Sequence, residues 1–174
     1  MLTLILGGAR SGKSSHAETR AAELGDRVLY VATAQAFDDD MAARIKKHRE
    51  ERPRHWPTLE APTNVGVQIA QFSEEVDVVL IDCLTLLTSN VFLANEDNGA
   101  TETAVFKEVA DLIEVYQASK TNWIIVSNEV GMGIVPAYDL GRQYRDLLGK
   151  VNQKLAQKAD KVIFMVAGLP MQVK

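Results

Sequence analysis

The sequence is poor in cysteine, aromatic residues and positive charge: one cysteine, Cys83, 6% aromatics, and a formal net charge of -4 over 174 residues. A lone thiol excludes an internal disulfide and fits a reducing compartment, so the expected address is the cytoplasm. The apolar stretch Met1–Leu6 is stopped at once by Gly7 and Gly8, which is too short for a signal core or a membrane span, and no later run is long enough either. The acidic balance gives no overall attraction to polyanions and argues against nucleic acid as a partner. Repeats, low-complexity tracts and linkers are also missing, so the chain is expected to form one domain, residues 1–174.

What is present suits a globular chain. With 47% hydrophobic and 24% charged residues, the sequence can enclose a core without a disulfide or metal staple. Charge is segregated at one place, where Lys46, Lys47, Arg49, Arg52 and Arg54 crowd together. Two readings stand there: a solvated basic helix face, or a surface that meets a small phosphate-rich ligand.

Continuous apolar runs at Leu2–Leu6, Val28–Ala32 and Val76–Ile81 predict strands covered on both faces. Trp123–Ser127 and Lys161–Val166 add two more. Helices are predicted over Ser14–Leu24, closed by Gly25, and over a stretch to about Glu51 that Asp38, Asp39 and Asp40 precede, where carboxylates suit a helix amino end. Further helices are expected over Thr63–Phe72, Thr101–Ser119 and Leu140–Lys158, the last with apolar residues on one face. Asn95–Ala100 reads as a loop. Gly168 and Pro170 suggest a turn into a final antiparallel strand, Met171–Lys174. The alternation of strand and helix makes this an α/β chain with a mainly parallel twisted sheet and helices on both faces. In such sheets ligands gather at the carboxyl ends of strands, and the segments Gly7–Ser14, Thr33–Gln35, Asp82 and Asn128–Gly133 all follow predicted strands.

GGARSGKS, Gly7–Ser14, fits the pattern GxxxxGK[S/T] and lies between a buried strand and a helix, as a phosphate-binding P-loop requires. Gly7 and Gly12 allow a tight loop whose N–H groups face a triphosphate. Lys13 offers a point charge to the β- and γ-phosphates, and the Ser14 hydroxyl is a ligand for Mg2+. Asp82 closes the run VVLID and so reads as the carboxylate that orders water around that ion, although an aspartate at a strand end is also an ordinary cap. His48 shares a helical face with Met41, Ile45 and Arg52. It is either a satisfied half-buried histidine or a neutral imidazole nucleophile for phosphorus, with neighbouring cations stabilising phosphate charge. His16 and His55 read as structural. Glu129, in the loop NEVGMGIVP, can serve as a base or order water, and Arg142 and Arg145 either clamp phosphate or pair with Asp139 and Asp146.

The combination GGARSGKS, DDDMAARIKKHREERPRHW, NEVGMGIVP and RQYRDLLGKVNQKLA resembles the bifunctional adenosylcobinamide kinase/adenosylcobinamide-phosphate guanylyltransferase family of cobalamin (vitamin B12) biosynthesis. The resemblance runs from the first strand to the final segment and matches least well at Asn90–Ala100. It implies a RecA-like P-loop fold, a homotrimer, and two reactions at one nucleotide site. A γ-phosphoryl from ATP or GTP passes to adenosylcobinamide, aided by Lys13, Ser14, Mg2+ and Asp82. His48, the histidine of HxxxRP, then takes GMP from GTP and hands it to adenosylcobinamide phosphate, giving adenosylcobinamide-GDP. The nucleotide site carried across comprises Gly7, Gly8, Ala9, Arg10, Ser11, Gly12, Lys13 and Ser14 of the loop. It further includes Thr33, Ala34 and Gln35, Arg49, Glu50, Glu51 and Arg52, and Glu60 and Asp82. Two other readings use the same loop: a single-function small-molecule kinase, which does not need His48, and a RecA-like nucleotide-dependent binding module, against which the acidic balance weighs.

Overall fold

The computed structural model describes residues 1–35, 43, 49–50, 52–72, 75–95 and 100–174. In chain order the described elements are β1 (Leu2–Gly7), α1 (Lys13–Leu24), β2 (Val28–Ala32), β3 (Thr58–Glu60), α2 (Val65–Ala70), β4 (Val78–Asp82), α3 (Leu84–Ala94), α4 (Thr101–Ala118), β5 (Asn122–Val126), α5 (Asp139–Lys158), β6 (Lys161–Val166) and β7 (Leu169–Gln172). The helix expected after Asp38, Asp39 and Asp40, to about Glu51, falls largely outside the described residues. Together the strands form one sheet in the order β3-β2-β4-β5-β1-β6-β7, parallel throughout except for the antiparallel β6–β7 pair. This is the α/β, mainly parallel architecture that the sequence predicts, with the antiparallel strand at one edge.

Strand periodicity sorts the core into two layers. Leu2, Leu4, Leu29, Val31, Val79, Ile81, Trp123 and Ile125 point to the side covered by α2 to α5. Their alternates Ile5, Val28, Tyr30, Val78, Leu80, Ile124 and Val126 point to the side covered by α1, through Ala17 and Ala21, and by Trp56. Both faces are therefore dry, which is why these strands are continuous apolar runs rather than alternating ones. Helix α5 buries Leu148, Val151 and Leu155 at helical spacing, each at 1% exposure or less, and each such side chain contributes about 1.5–3 kcal/mol relative to exposure.

Register brings the strand ends level. Ala32 lies opposite Asp82, Asp82 opposite Val126, and Val126 opposite Ile5, so the residues that follow β1, β2, β4 and β5 emerge along one edge. At the far edge Ala167 and Gly168, with φ of 49° and 82°, make the two-residue turn between β6 and β7. Positive φ at both positions suits the twist of a tight hairpin, so β7 begins at Leu169, ahead of the expected Met171. Pro170 is tolerated there because β7 is an edge strand.

Helix α2 is shorter than the expected Thr63–Phe72, and it has no capping side chain of its own; Asn64 enters it with φ of 52°. The cap comes from α4 instead. Glu108, buried at 9% exposure, accepts hydrogen bonds from Asn64 N at 2.9 Å and Val65 N at 2.8 Å. Removing a buried carboxyl acceptor leaves two N–H groups unpaired, so Glu108→Ala should cost about 2–3 kcal/mol. The measurement is urea unfolding: a lower midpoint at unchanged slope is expected, and a wild-type midpoint would refute the cap.

Candidate functional site

The loop between β1 and α1 is shaped by backbone constraints. Gly12 has φ of 90°, a conformation disfavoured for side-chain-bearing residues, and a Cβ there would lie 3.3 Å from the Gly168 Cα. At Gly7 a Cβ would meet Ser11 Oγ at 2.7 Å and the Met165 carbonyl oxygen at 2.8 Å. Arg10 adopts a left-handed φ of 56° between them. The far side of the loop is braced by the β6–β7 turn, where Gly168 N donates to Ser11 O at 3.1 Å. Helix α1 then starts without a side-chain cap, which leaves its first N–H groups available to an anion, with the helix dipole favouring negative charge.

Lys13 is buried at 8% exposure, and its Nζ donates to Gly8 O at 2.5 Å across the loop. Burial lowers its pKa from the usual lysine value, while Cys83 and Asp82 pull it the other way. The ammonium thus sits in a partly desolvated place beside the carboxylate that ends β4.

Asp82 is held by β2. The hydroxyl of Tyr30, a residue only 1% exposed, donates to Asp82 Oδ2 at 2.8 Å. Burial, and then the nearby Asp82 carboxylate, push the Tyr30 phenol well above its normal pKa, so the proton stays on the phenol. Thr33 secures the backbone beyond: its N donates to Asp82 O at 3.2 Å, and its hydroxyl donates to Cys83 O at 2.7 Å and accepts from Cys83 N at 2.8 Å. The Thr33 O accepts in turn from Asn90 Nδ2 at 2.9 Å. The Asp82–Cys83 peptide is cis. Cys83 itself is a poor nucleophile, its thiol pushed up to about 12 chiefly by burial.

Among the other residues singled out in the sequence, Ala34 is half-buried and Gln35 exposed at the exit of β2. Arg49 pairs with Glu60 in an exposed ion pair. Arg52 stacks its guanidinium 3.4 Å from the centre of the Tyr30 ring, and its Nε is buried without a hydrogen-bond partner among the described residues. Glu50 is exposed. His48 and Glu51 lie outside the described residues, as do Lys46 and Lys47. Glu129 approaches the loop through its backbone, Glu129 N donating to Gly7 O at 3.0 Å, while its carboxylate accepts from Gly131 N at 2.6 Å. Arg142 and Arg145 pair with Asp139 and Asp146. Tyr30 and Asn90 escaped the sequence reading, and Gly168 was read there only as a turn; only the β2–β4 register points to Tyr30, because Tyr30 lies opposite Leu80 and hence two residues short of Asp82 on one face.

The donor set fits magnesium. Ser14 and Asp82 offer a hydroxyl and a carboxylate, hard oxygens of the kind this ion takes. Tyr30 occupies Oδ2 of Asp82, and among the described residues Oδ1 accepts no hydrogen bond, which leaves it for a metal-bound water. No cluster of three or more His, Cys, Asp or Glu side chains stands among the described residues, and an ion held by Ser14 and Asp82 would need further oxygen ligands from phosphate or water.

Residues 3–173 match the family model described as cobinamide kinase / cobinamide phosphate guanyltransferase. The bifunctional adenosylcobalamin biosynthesis protein CobU of Salmonella typhimurium is 42% identical over 184 residues, covering 100% of both chains. The protein of the same name in Escherichia coli is 42% identical over 184 residues, again with 100% of both chains covered. The bifunctional adenosylcobalamin biosynthesis protein CobP of Pseudomonas aeruginosa is 44% identical over 177 residues, covering 100% of this chain and 98% of the relative.

Proposed function

Because this chain belongs to the cobinamide kinase / cobinamide phosphate guanyltransferase family, we propose that it phosphorylates adenosylcobinamide with ATP or GTP and then transfers GMP from GTP, giving adenosylcobinamide-GDP in cobalamin biosynthesis. The observation that carries the reading is the buried Lys13 ammonium at the uncapped start of α1, facing the loop Gly7–Ser14 with Asp82 close by. A polyphosphate there meets backbone N–H groups, a helix dipole and one fixed cation, an arrangement that stabilises charge as it builds up on a transferring phosphoryl group.

In the first reaction the aminopropanol hydroxyl of the cobinamide attacks the γ-phosphorus in line, the bond to the β-phosphate oxygen breaks, and the nucleoside diphosphate leaves. Lys13 positions the β- and γ-phosphates. Magnesium, when bound by Ser14 and through water by Asp82, would offset phosphate charge. In the second reaction a His48 ring nitrogen attacks the α-phosphorus of GTP and expels pyrophosphate. A phosphate oxygen of cobinamide phosphate then displaces the histidine from the GMP. Arg49 and Arg52 support phosphate charge from the same segment. Glu129 is the candidate base of the kinase step. The chain acts on this reading as one nucleotide-binding unit, assembled as a homotrimer in the cytoplasm.

The test supplies the purified protein with adenosylcobinamide, Mg2+ and γ-labelled ATP, followed by α-labelled GTP. Label should appear first in cobinamide phosphate and then in adenosylcobinamide-GDP, with one pyrophosphate released per product. Phosphorylation alone would reduce the protein to a single-function kinase, and no cobinamide product at all would overturn the reading.

A further inference from the structure

The phenol of Tyr30 touches two proposed functional groups at once, and neither contact is explained by core packing alone. Tyr30 lies in β2 opposite Leu80 of β4, so Asp82 stands two residues further along on the same face of the sheet. A tyrosine spans that diagonal, and its hydroxyl reaches Asp82 Oδ2 at 2.8 Å. A buried hydroxyl needs an acceptor, but a phenylalanine at this place would need none, because the layer around it is apolar, made of aliphatic residues with Trp56 and Met165. The ring carries the second contact: the Arg52 guanidinium lies 3.4 Å from its centroid. Arg52 belongs to the HxxxRP motif, four residues after His48. The same segment is fastened to β2 by Tyr30 N donating to Pro57 O at 2.9 Å, and Trp56 is buried beside it at 6% exposure.

We propose that Tyr30 is a positioning residue shared by both reactions, its hydroxyl orienting the Asp82 carboxylate and its ring seating Arg52. The inference rests on the reading above for the roles of Asp82 and Arg52. The hydroxyl occupies Oδ2, so Oδ1 is the oxygen that would accept from a magnesium-bound water. The flat ring presents its negative face to the guanidinium and thereby fixes where the HxxxRP segment meets the sheet. One strand residue then holds the kinase carboxylate and the guanylyl-transfer segment at a set distance, which a single nucleotide site serving two reactions requires.

Two substitutions separate the contacts. Tyr30→Phe deletes only the hydroxyl. Equilibrium binding of a fluorescent non-hydrolysable GTP analogue, titrated at rising Mg2+, should then need about 10-fold more magnesium for half-saturation, the loss typical when a metal ligand loses its outer partner. Binding at saturating magnesium and the melting temperature should stay near wild type, and so should the yield of protein-bound GMP. Tyr30→Leu also deletes the ring and should lower that yield, with an effect not additive to that of Arg52→Ala. A magnesium requirement unchanged in Tyr30→Phe overturns the hydroxyl's role, and additive effects of Tyr30→Leu and Arg52→Ala overturn the ring's. Asp82→Asn in the same titration tells the two levels apart. If it raises the magnesium requirement while Tyr30→Phe does not, only the Tyr30 inference falls; if neither moves it, the metal role of Asp82 falls as well.

Discussion

Lys13→Ala should phosphorylate adenosylcobinamide on the order of 10²–10³-fold more slowly than wild type while melting no lower. The rate falls because the variant loses the ammonium that lies beside Gly8 O, and with it the fixed charge that faces the β- and γ-phosphates. The N–H groups of the loop and of α1 survive, so the nucleotide should still bind, more weakly. The stability half follows from the sign of the pKa shift. Burial lowers the Lys13 pKa from 10.5, against the opposite pull of Cys83 and Asp82. Between the lowered folded value and 10.5 the unfolded chain holds more protons, so stability rises with pH across that window, and below it the buried ammonium works against folding. Alanine removes that opposition and gives up only the packing of the lysine stem. Steady-state kinetics together with a thermal melt check both halves. Near-normal turnover would remove Lys13 from the mechanism, and collapse of activity with collapse of the melt would make the residue structural.

The burial of Lys13 was not legible in the sequence, but the loop that holds it was. The spacing GxxxxGK[S/T] between an apolar run and a helix marked the loop, and the placement of Asp82 followed from the apolar run that ends at it. The strands of the sheet were readable for the same reason, since residues dry on both faces form unbroken runs. Helix α3 was not: Leu84–Ala94 buries residues around most of its circumference and starts at Cys83 without a capping side chain, so neither periodicity nor a start signal marks it. Strand β3 is three residues long, exposed at both ends and hidden behind Pro53 and Pro57. Its parallel pairing to β2 is visible only in three dimensions.

Side-chain commitments were harder still to read. Thr33 was grouped with the nucleotide by resemblance, yet its hydroxyl is spent on both polar groups of Cys83 and is fully buried. The residue therefore holds the backbone just past the end of β4, and no spacing rule carries that information. Tyr30 is the same kind of case, its partner fixed by the β2–β4 register. Arg142 and Arg145 left two readings open, and in the structure both pair with neighbouring aspartates on α5.

The other large effect concerns His48. With GTP labelled at the α-phosphate, the wild-type protein should acquire label that is lost in acid and survives alkali, the behaviour of a phosphorus–nitrogen bond; His48→Ala should acquire none. Phosphorylation of adenosylcobinamide from γ-labelled ATP should continue in the variant, because Lys13, Ser14 and Asp82 are untouched. The split between the two labels carries the argument: a histidine needed only for folding would take both activities down together, and one needed only to bind nucleotide would raise KM for both. The surroundings support a local role for the segment. Arg52 rests on the Tyr30 ring, Trp56 is buried against the α1 face, and Trp56 N donates to Pro53 O at 3.1 Å, so the chain from Arg52 to Trp56 has anchoring contacts of its own. If wild-type protein acquires no α-label while cobinamide phosphate still forms, the guanylyl half is absent and the protein is a P-loop kinase for one step; if His48→Ala labels as well as wild type, another nucleophile takes the GMP.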